Sequence, residues 1–206
     1  MFKNVLEKIE KFHYIFNAIT QQRSSGSIAS HYSRYAIELT NAKNHNEVQS
    51  ILNKLVIGLE NKISSFNEFK TSFESVLYTS KKTRYKKLIK YSLAKILGTT
   101  SNGLSINHNA MTLEHILPEE ELKMNYEDRY IGSIGNLILV DKKTNNEDLR
   151  NLSFQKKLKH LQQKQYPLDD YIKEQDKWDI KQIKEREEYL IEQIFNYTNI
   201  TKLEYK

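Results

Sequence analysis

Apolar residues recur at helical spacing from the beginning of the chain. Phe2, Val5, Leu6, Ile9, Phe12, Phe16 and Ile19 fall at i, i+3, i+4 and i+7 intervals, which puts them on one stripe of an amphipathic helix. The stretch Arg23-Ser24-Ser25-Gly26-Ser27 interrupts that stripe and reads as a loop. A second helix is expected from Tyr32 to Ala42, ending near Asn44. A third carries Val48, Ile51, Leu52, Leu55, Leu59 and Ile63 on one side. Ser64 or Ser65 then suits the N-cap of a fourth, bearing Phe66, Phe69, Phe73 and Val76. A fifth runs through KKTRYKKLIKYSLAKIL and stops at Gly98. The first proline is Pro118, so nothing punctuates this run, and residues 1–98 are predicted to form a helical bundle.

The texture changes beyond Gly98. TTSNGLSINHNA is polar and turn-rich and suits a domain boundary, so residues 99–206 are expected to form a second domain. A short strand is predicted over 111–117, followed by a helix start at Pro118 with Glu119, Glu120 and Glu121 behind it. Residues 135–140, GNLILV, read as a second, buried strand, and Asp141 is placed to cap the segment after it. A helix on Phe154, Leu158 and Leu161 comes next. A long final helix uses Ile180, Ile183, Leu190, Ile194 and Tyr197. Two short strands among many helices make the fold class α+β, mostly α.

Composition narrows the function. The 38% hydrophobic content supports a packed core only because the apolar positions are concentrated on element faces. Thirty-two Lys and Arg against 26 Asp and Glu leave a net charge of +6, which favours an anionic partner. The absence of cysteine excludes disulfides, thiolate zinc sites and cysteine nucleophiles. The amphipathic, charged start is unlike a signal peptide and no apolar run reaches a membrane span, so no membrane partner and a cytoplasmic location are expected.

Between Met111 and Lys157 the order is strand, loop, strand, helix, with His115 on the first strand and asparagines on the second strand and at the helix start. Hydrolysis of a phosphodiester needs a base for water, stabilisation of the charge on phosphorus, and neutralisation of the leaving oxygen. A histidine titrating near neutrality suits the first need, and a hard divalent ion on oxygen ligands suits the other two. His160 shares a helix face with Lys156 and Lys164, a stripe that could track a nucleic-acid backbone or simply face solvent. The Lys81-Lys82-Arg84-Lys86-Lys87-Lys90 cluster is explained well by solubility alone.

LEHILPEEE, IGNLILV and NNEDLRNLSFQKK together resemble the C-terminal nuclease domain of GmrSD-type, modification-dependent restriction endonucleases. Trp178-Asp179, Ile183 and Arg186 match later features, and the resemblance covers about Leu88 to Phe195 well. It implies an HNH (His-Me finger) ββα-metal core wrapped by helices, and a metal-dependent DNA endonuclease acting in restriction of foreign or modified DNA. It makes His115 the general base and Asn136 the residue that braces the hairpin. Counting from Asn136 makes Asn145 the metal-ligand asparagine, whereas counting back from Phe154 makes it Asn146. Glu114 occupies the acidic position before the histidine, a second metal ligand. Neighbours on a regular strand point to opposite faces, so Glu114 and His115 can address one ion only where the strand ends or twists. Lys157 and Arg186 match family positions that meet phosphate or pair with acidic neighbours.

The implied cofactor is a divalent metal, Mg²⁺ or alternatively Mn²⁺. The implied partners are DNA and a nucleotide-hydrolysing domain or subunit, since this chain holds no Gly-rich phosphate cradle of its own; an oligomer is compatible. A catalytically inactive DNA-binding or assembly module of a defence complex, and a nuclease acting on RNA, are the competing classes.

Overall fold

The computed structural model describes residues 2–22, 26–100, 110–120, 128–149 and 152–198. By its internal contacts the chain divides into two compact units, one built from residues up to Phe73, the other running from Glu74 to Tyr197. Among the described residues, no helix is long and apolar enough to cross a membrane.

The first unit is helical. α1 (Phe2–His13) runs straight into a π-helical turn, Tyr14–Ile19, followed by α2 (Gly26–Thr40), α3 (His45–Glu60) and α4 (Phe66–Phe73). Much of the expected stripes meets in one core, where Val5, Phe12 and Phe16 pack with Ile28, Tyr35, Leu52, Leu55, Val56 and Leu59, whereas Phe2 and Leu6, expected on the same stripe, are exposed. Two ends are capped by side chains. Asn44 Oδ1 accepts from Glu47 N at 3.0 Å while Glu47 Oε2 accepts from Lys43 N at 2.8 Å, a reciprocal box that starts α3. Of the two candidate serines, Ser65 performs the capping of α4, accepting from Glu68 N at 3.3 Å.

The second unit contains α5 (Lys86–Thr100), β1 (Met111–His115), α6 (Asp128–Gly132), a 3₁₀ turn (Ile134–Asn136) and β2 (Leu137–Asp141). A π-helical turn (Thr144–Leu149), α7 (Phe154–Gln163), α8 (Asp170–Lys173) and α9 (Ile180–Tyr197) complete it. The division at 73/74, rather than at 98, has a packing cause: α5 lies against both strands and against α9, so the fifth helix belongs with the hairpin. α5 is also shorter at its start than the periodicity suggests. Residues 81–85 form a turn, because Thr79 Oγ1 accepts from Lys81 N at 3.3 Å and Lys82 N at 3.0 Å, and Thr79 N donates to Lys82 O at 3.1 Å.

β1 and β2 pair antiparallel with His115 opposite Leu137 and Glu114 opposite Ile138. Alternation therefore sorts the hairpin into two faces. Ile138 and Val140, with Ile116 beyond the strand end, pack into a core of Phe154, Leu158, Leu161, Leu168, Ile172, Trp178 and Ile183, so α7, α8 and the start of α9 cover that face. Leu113, His115, Leu137 and Leu139 lie on the other.

The turn into β2 is held by α9. Arg186 is buried, and its guanidinium donates to Asp169 (Nη2 to Oδ2, 2.9 Å) and to the carbonyls of Gly135 (2.8 Å) and Leu137 (2.9 Å). Glu187 accepts from Ser133 Oγ at 2.7 Å, and Ser133 Oγ in turn accepts from Gly135 N at 3.0 Å. The turn lies so close to α9 that only glycine fits at 135: a Cβ there would sit 2.1 Å from Ile183 O. Gly135→Ala must push the turn off the helix, and a loss of at least ~2 kcal/mol in urea denaturation is expected. An unchanged midpoint would show that the contact is not needed.

Candidate active site

β1 ends at His115, and the side chain that closes it off comes from the opposite strand's lead-in. Asn136 is fully buried. Its Oδ1 accepts from Leu117 N at 2.9 Å, and its Nδ2 donates to Leu117 O at 3.1 Å and Ile131 O at 3.2 Å. Its own carbonyl accepts from Ile116 N at 2.8 Å. One amide thus engages both backbone groups of Leu117, two residues beyond the imidazole, and fixes where the chain turns out of β1. An amide committed this way braces; it has little capacity left for a ligand.

His115 is half-buried against a segment that precedes α5. Its Nε2 lies 3.2 Å from Tyr78 O, and the two rings stack with centroids 5.8 Å apart at 11°. A carbonyl offers only lone pairs, so Nε2 carries the hydrogen and the lone pair of the neutral ring sits on Nδ1. Burial pulls the imidazole below its ordinary value; the Tyr78 carbonyl and the charges of Glu119 and Glu120 pull it back up, and Lys157 pushes it down again. At neutral pH the ring is a base, not a cation.

Glu114 faces the other way, towards α7. Lys157 Nζ reaches its Oε1 at 2.6 Å and also donates to His115 O at 2.7 Å. Lys157 is 2% exposed, so it takes the pairing role among the two that its position allowed, and it does not present its ammonium to an external phosphate. Burial raises the Glu114 carboxyl and Lys157 opposes the rise. The spacing held the clue: Phe154, Lys157, Leu158 and Leu161 stand at i, i+3, i+4 and i+7, the inward face of α7. Arg186 likewise pairs with a carboxylate in the interior.

Asn145 approaches from the π-helical turn and donates Nδ2 to Leu113 O at 3.1 Å. Leu113 O and His115 O both point from the edge of β1 that has no strand partner in the sheet, so Asn145 and Lys157 finish that edge with side chains. Asn146 lies outside the described side chains. Of the expected nucleic-acid stripe, Lys156 and Lys164 are exposed and His160 is half-buried, on a helix that covers the Glu114 face of the hairpin. The structure therefore sets Asn136, Asn145 and Lys157 against the backbone between Leu113 and Leu117, points Glu114 and His115 to opposite faces, and leaves the Lys156–Lys164 stripe on the far side of the hairpin from the imidazole.

No group of three or more His, Cys, Asp or Glu side chains is gathered for a metal among the described residues. The oxygen donors near the strand end are the Glu114 carboxylate and the Asn145 amide. That set suits a hard ion that keeps most of its waters, on the condition that Glu114 is shared with Lys157.

An imidazole thus stands at the end of a braced two-stranded hairpin in a mostly helical unit. Residues 63–193 match the model of the family described as GmrSD restriction endonucleases, C-terminal domain, more than half of the chain, and the chain belongs to that family. It is thereby a domain related to restriction nucleases. No curated protein matches the chain.

Lys157→Met leaves the Glu114 carboxylate buried without its cation. A loss of about 3–5 kcal/mol on unfolding is expected, with most of it recovered in the Glu114→Gln, Lys157→Met double variant. Additive losses in that cycle would show the pair to be uncoupled.

Proposed function

We propose that this domain is an HNH-type (His-Me finger) endonuclease that hydrolyses DNA phosphodiesters in a restriction system directed against foreign DNA. The observation that carries the reading is the Nε2–H donated to Tyr78 O, which leaves Nδ1 of a neutral His115 as a lone pair held in a fixed direction. Nδ1 takes a proton from water as the oxygen attacks phosphorus; Asn136 keeps the backbone beyond the imidazole in place while it does so. Asn145, and Glu114 once its carboxylate leaves Lys157 and turns to the imidazole's side of the strand, would hold a divalent ion, Mg²⁺ or Mn²⁺, which would supply charge neutralisation at the phosphate and the leaving oxygen when bound. Lys157 directs Glu114 and opposes the rise that burial imposes on its carboxyl. A nucleotide-hydrolysing partner domain or subunit would decide when the site acts.

A second reading has one observation in its favour: the Lys157 ammonium already occupies the carboxylate that the ion would use. On that reading the domain binds DNA without cutting it.

Supercoiled plasmid incubated with Mg²⁺, Mn²⁺ or EDTA separates the two. Nicking that EDTA abolishes and that falls about 10²–10⁴-fold in His115→Ala supports the enzyme; binding with no nicking in either metal supports the module. The pH profile adds a check. Because the folded imidazole is held below about 6.5, its base form persists below that pH, so the acid limb of kcat/KM is expected to lie under 6.5. The linked stability is present above 6.5 and is lost as pH falls through the depressed value. An acid limb above 6.5 would contradict His115 as the base.

A further inference from the structure

Tyr78, on which the imidazole stacks, belongs to a segment of unusual charge. Between residues 75 and 113 the chain carries seven Lys and Arg and no Asp or Glu, more positive charge than the net +6 of the whole protein. The part of this segment that touches the site is tied down at several points. Tyr78 N donates to Gly132 O at 2.9 Å and Tyr78 O accepts from His115. Ser80 N and Oγ donate to the two oxygens of Glu119 at 3.0 and 2.7 Å. Thr79 closes the turn into α5. Lys81, Lys82 and Arg84 project from that turn, all exposed. Lys86 reaches over the Tyr78 ring, its ammonium 5.5 Å from the centroid. Three residues of chain span at most about 11 Å, so Lys81 starts within that distance of the Tyr78 carbonyl that orients the base.

Exposed lysines on a mobile loop mean little, but a fixed turn presents its charges in one arrangement and loses less entropy when they engage an anion. The Glu119 carboxylate, the local counter-charge, accepts from Ser80 and so helps to fix the turn. Face also matters. A phosphate that meets His115 lies on the side of the hairpin where this turn sits, whereas α7, with Lys156 and Lys164, covers the other side.

Resting on the nuclease reading above, we propose that the turn at residues 79–86 is the surface that grips the DNA backbone beside the scissile phosphate, with Lys81, Lys82 and Arg84 as its phosphate contacts. The partner is duplex DNA recognised through its charge, without base readout from these three side chains.

The test is fluorescence anisotropy of the full chain with a labelled DNA duplex in EDTA, across a salt series, so that binding is read without cleavage. In Lys81→Gln, Lys82→Gln, Arg84→Gln the affinity is expected to fall at least ~tenfold, and the slope of log K against log salt to shrink by about 0.9 for each contact removed. Thermal melting should be unchanged, since all three side chains are exposed. A loss of the same size in Lys156→Gln, Lys164→Gln would overturn the assignment, as would tighter binding of an RNA duplex through the same three residues. Wild-type protein that binds and nicks DNA, with a turn variant that keeps both affinity and slope, sinks this inference and leaves the nuclease reading standing. Wild-type protein that neither binds nor cuts nucleic acid sinks both.

Discussion

Arg186 brings a permanent charge and five N–H donors into the interior, and the geometry of the second unit is set by how they are satisfied. Asp169 takes the charge through Nε and Nη2, and the carbonyls of Ile134, Gly135 and Leu137 share the hydrogens of Nη1. Three carbonyls can converge on one guanidinium only if the backbone curls around it, which is the shape of the 3₁₀ turn before β2. The same curl aims Asn136 at the backbone leaving β1, and that in turn fixes where His115 stands. A buried ion pair of this kind is weak evidence of added stability over a hydrocarbon core. Its physical effect here is positional: a directional fork in place of a greasy contact that could slide.

The hairpin has only two strands, so its edges need other partners, and the fold answers with side chains on the edge of β1. Asn145 and Lys157 occupy the outward carbonyls of Leu113 and His115. The result is a strand whose two faces have separate duties. One face is apolar and buried under α7, interrupted by the Glu114–Lys157 pair; the other ends in an imidazole stacked on Tyr78. The neighbouring side chains at 114 and 115 thus live in different electrostatic surroundings. Burial without enough compensation raises the carboxyl, and burial lowers the imidazole. An imidazole shifted towards its neutral form and a carboxyl whose charge depends on a nearby cation are what those surroundings produce.

Glycine sits at two close approaches in this unit. Gly135 meets α9, and Gly132 meets the Tyr78 segment, where a Cβ would lie 3.0 Å from Tyr78 O. Both approaches bear on the site, one through Asn136 and the other through the carbonyl that orients His115. Packing at the backbone level, rather than side-chain bulk, is therefore what keeps the imidazole directed.

The linear chain by itself determined most of the elements and the motif of the family. Apolar spacing is a property of local residues, so α1, α3, α7, α9 and both strands were legible near their observed bounds. The motif from His115 to Asn145 was legible for the same reason: it is contained in one short stretch of chain. The tertiary structure alone decided which groups face each other. Tyr78 stands 37 residues before His115, and no spacing rule connects them. The turn at 81–85 looked helical because its lysines are good helix formers, and Thr79 overrode that preference with a competing hydrogen bond. By sequence Lys157 stood between meeting phosphate and pairing with an acidic neighbour, and its burial became tolerable only once Glu114 was delivered opposite it from another element. Periodicity reports which face a residue occupies. Whether a charge can stay on an inward face depends on a partner folded in from elsewhere.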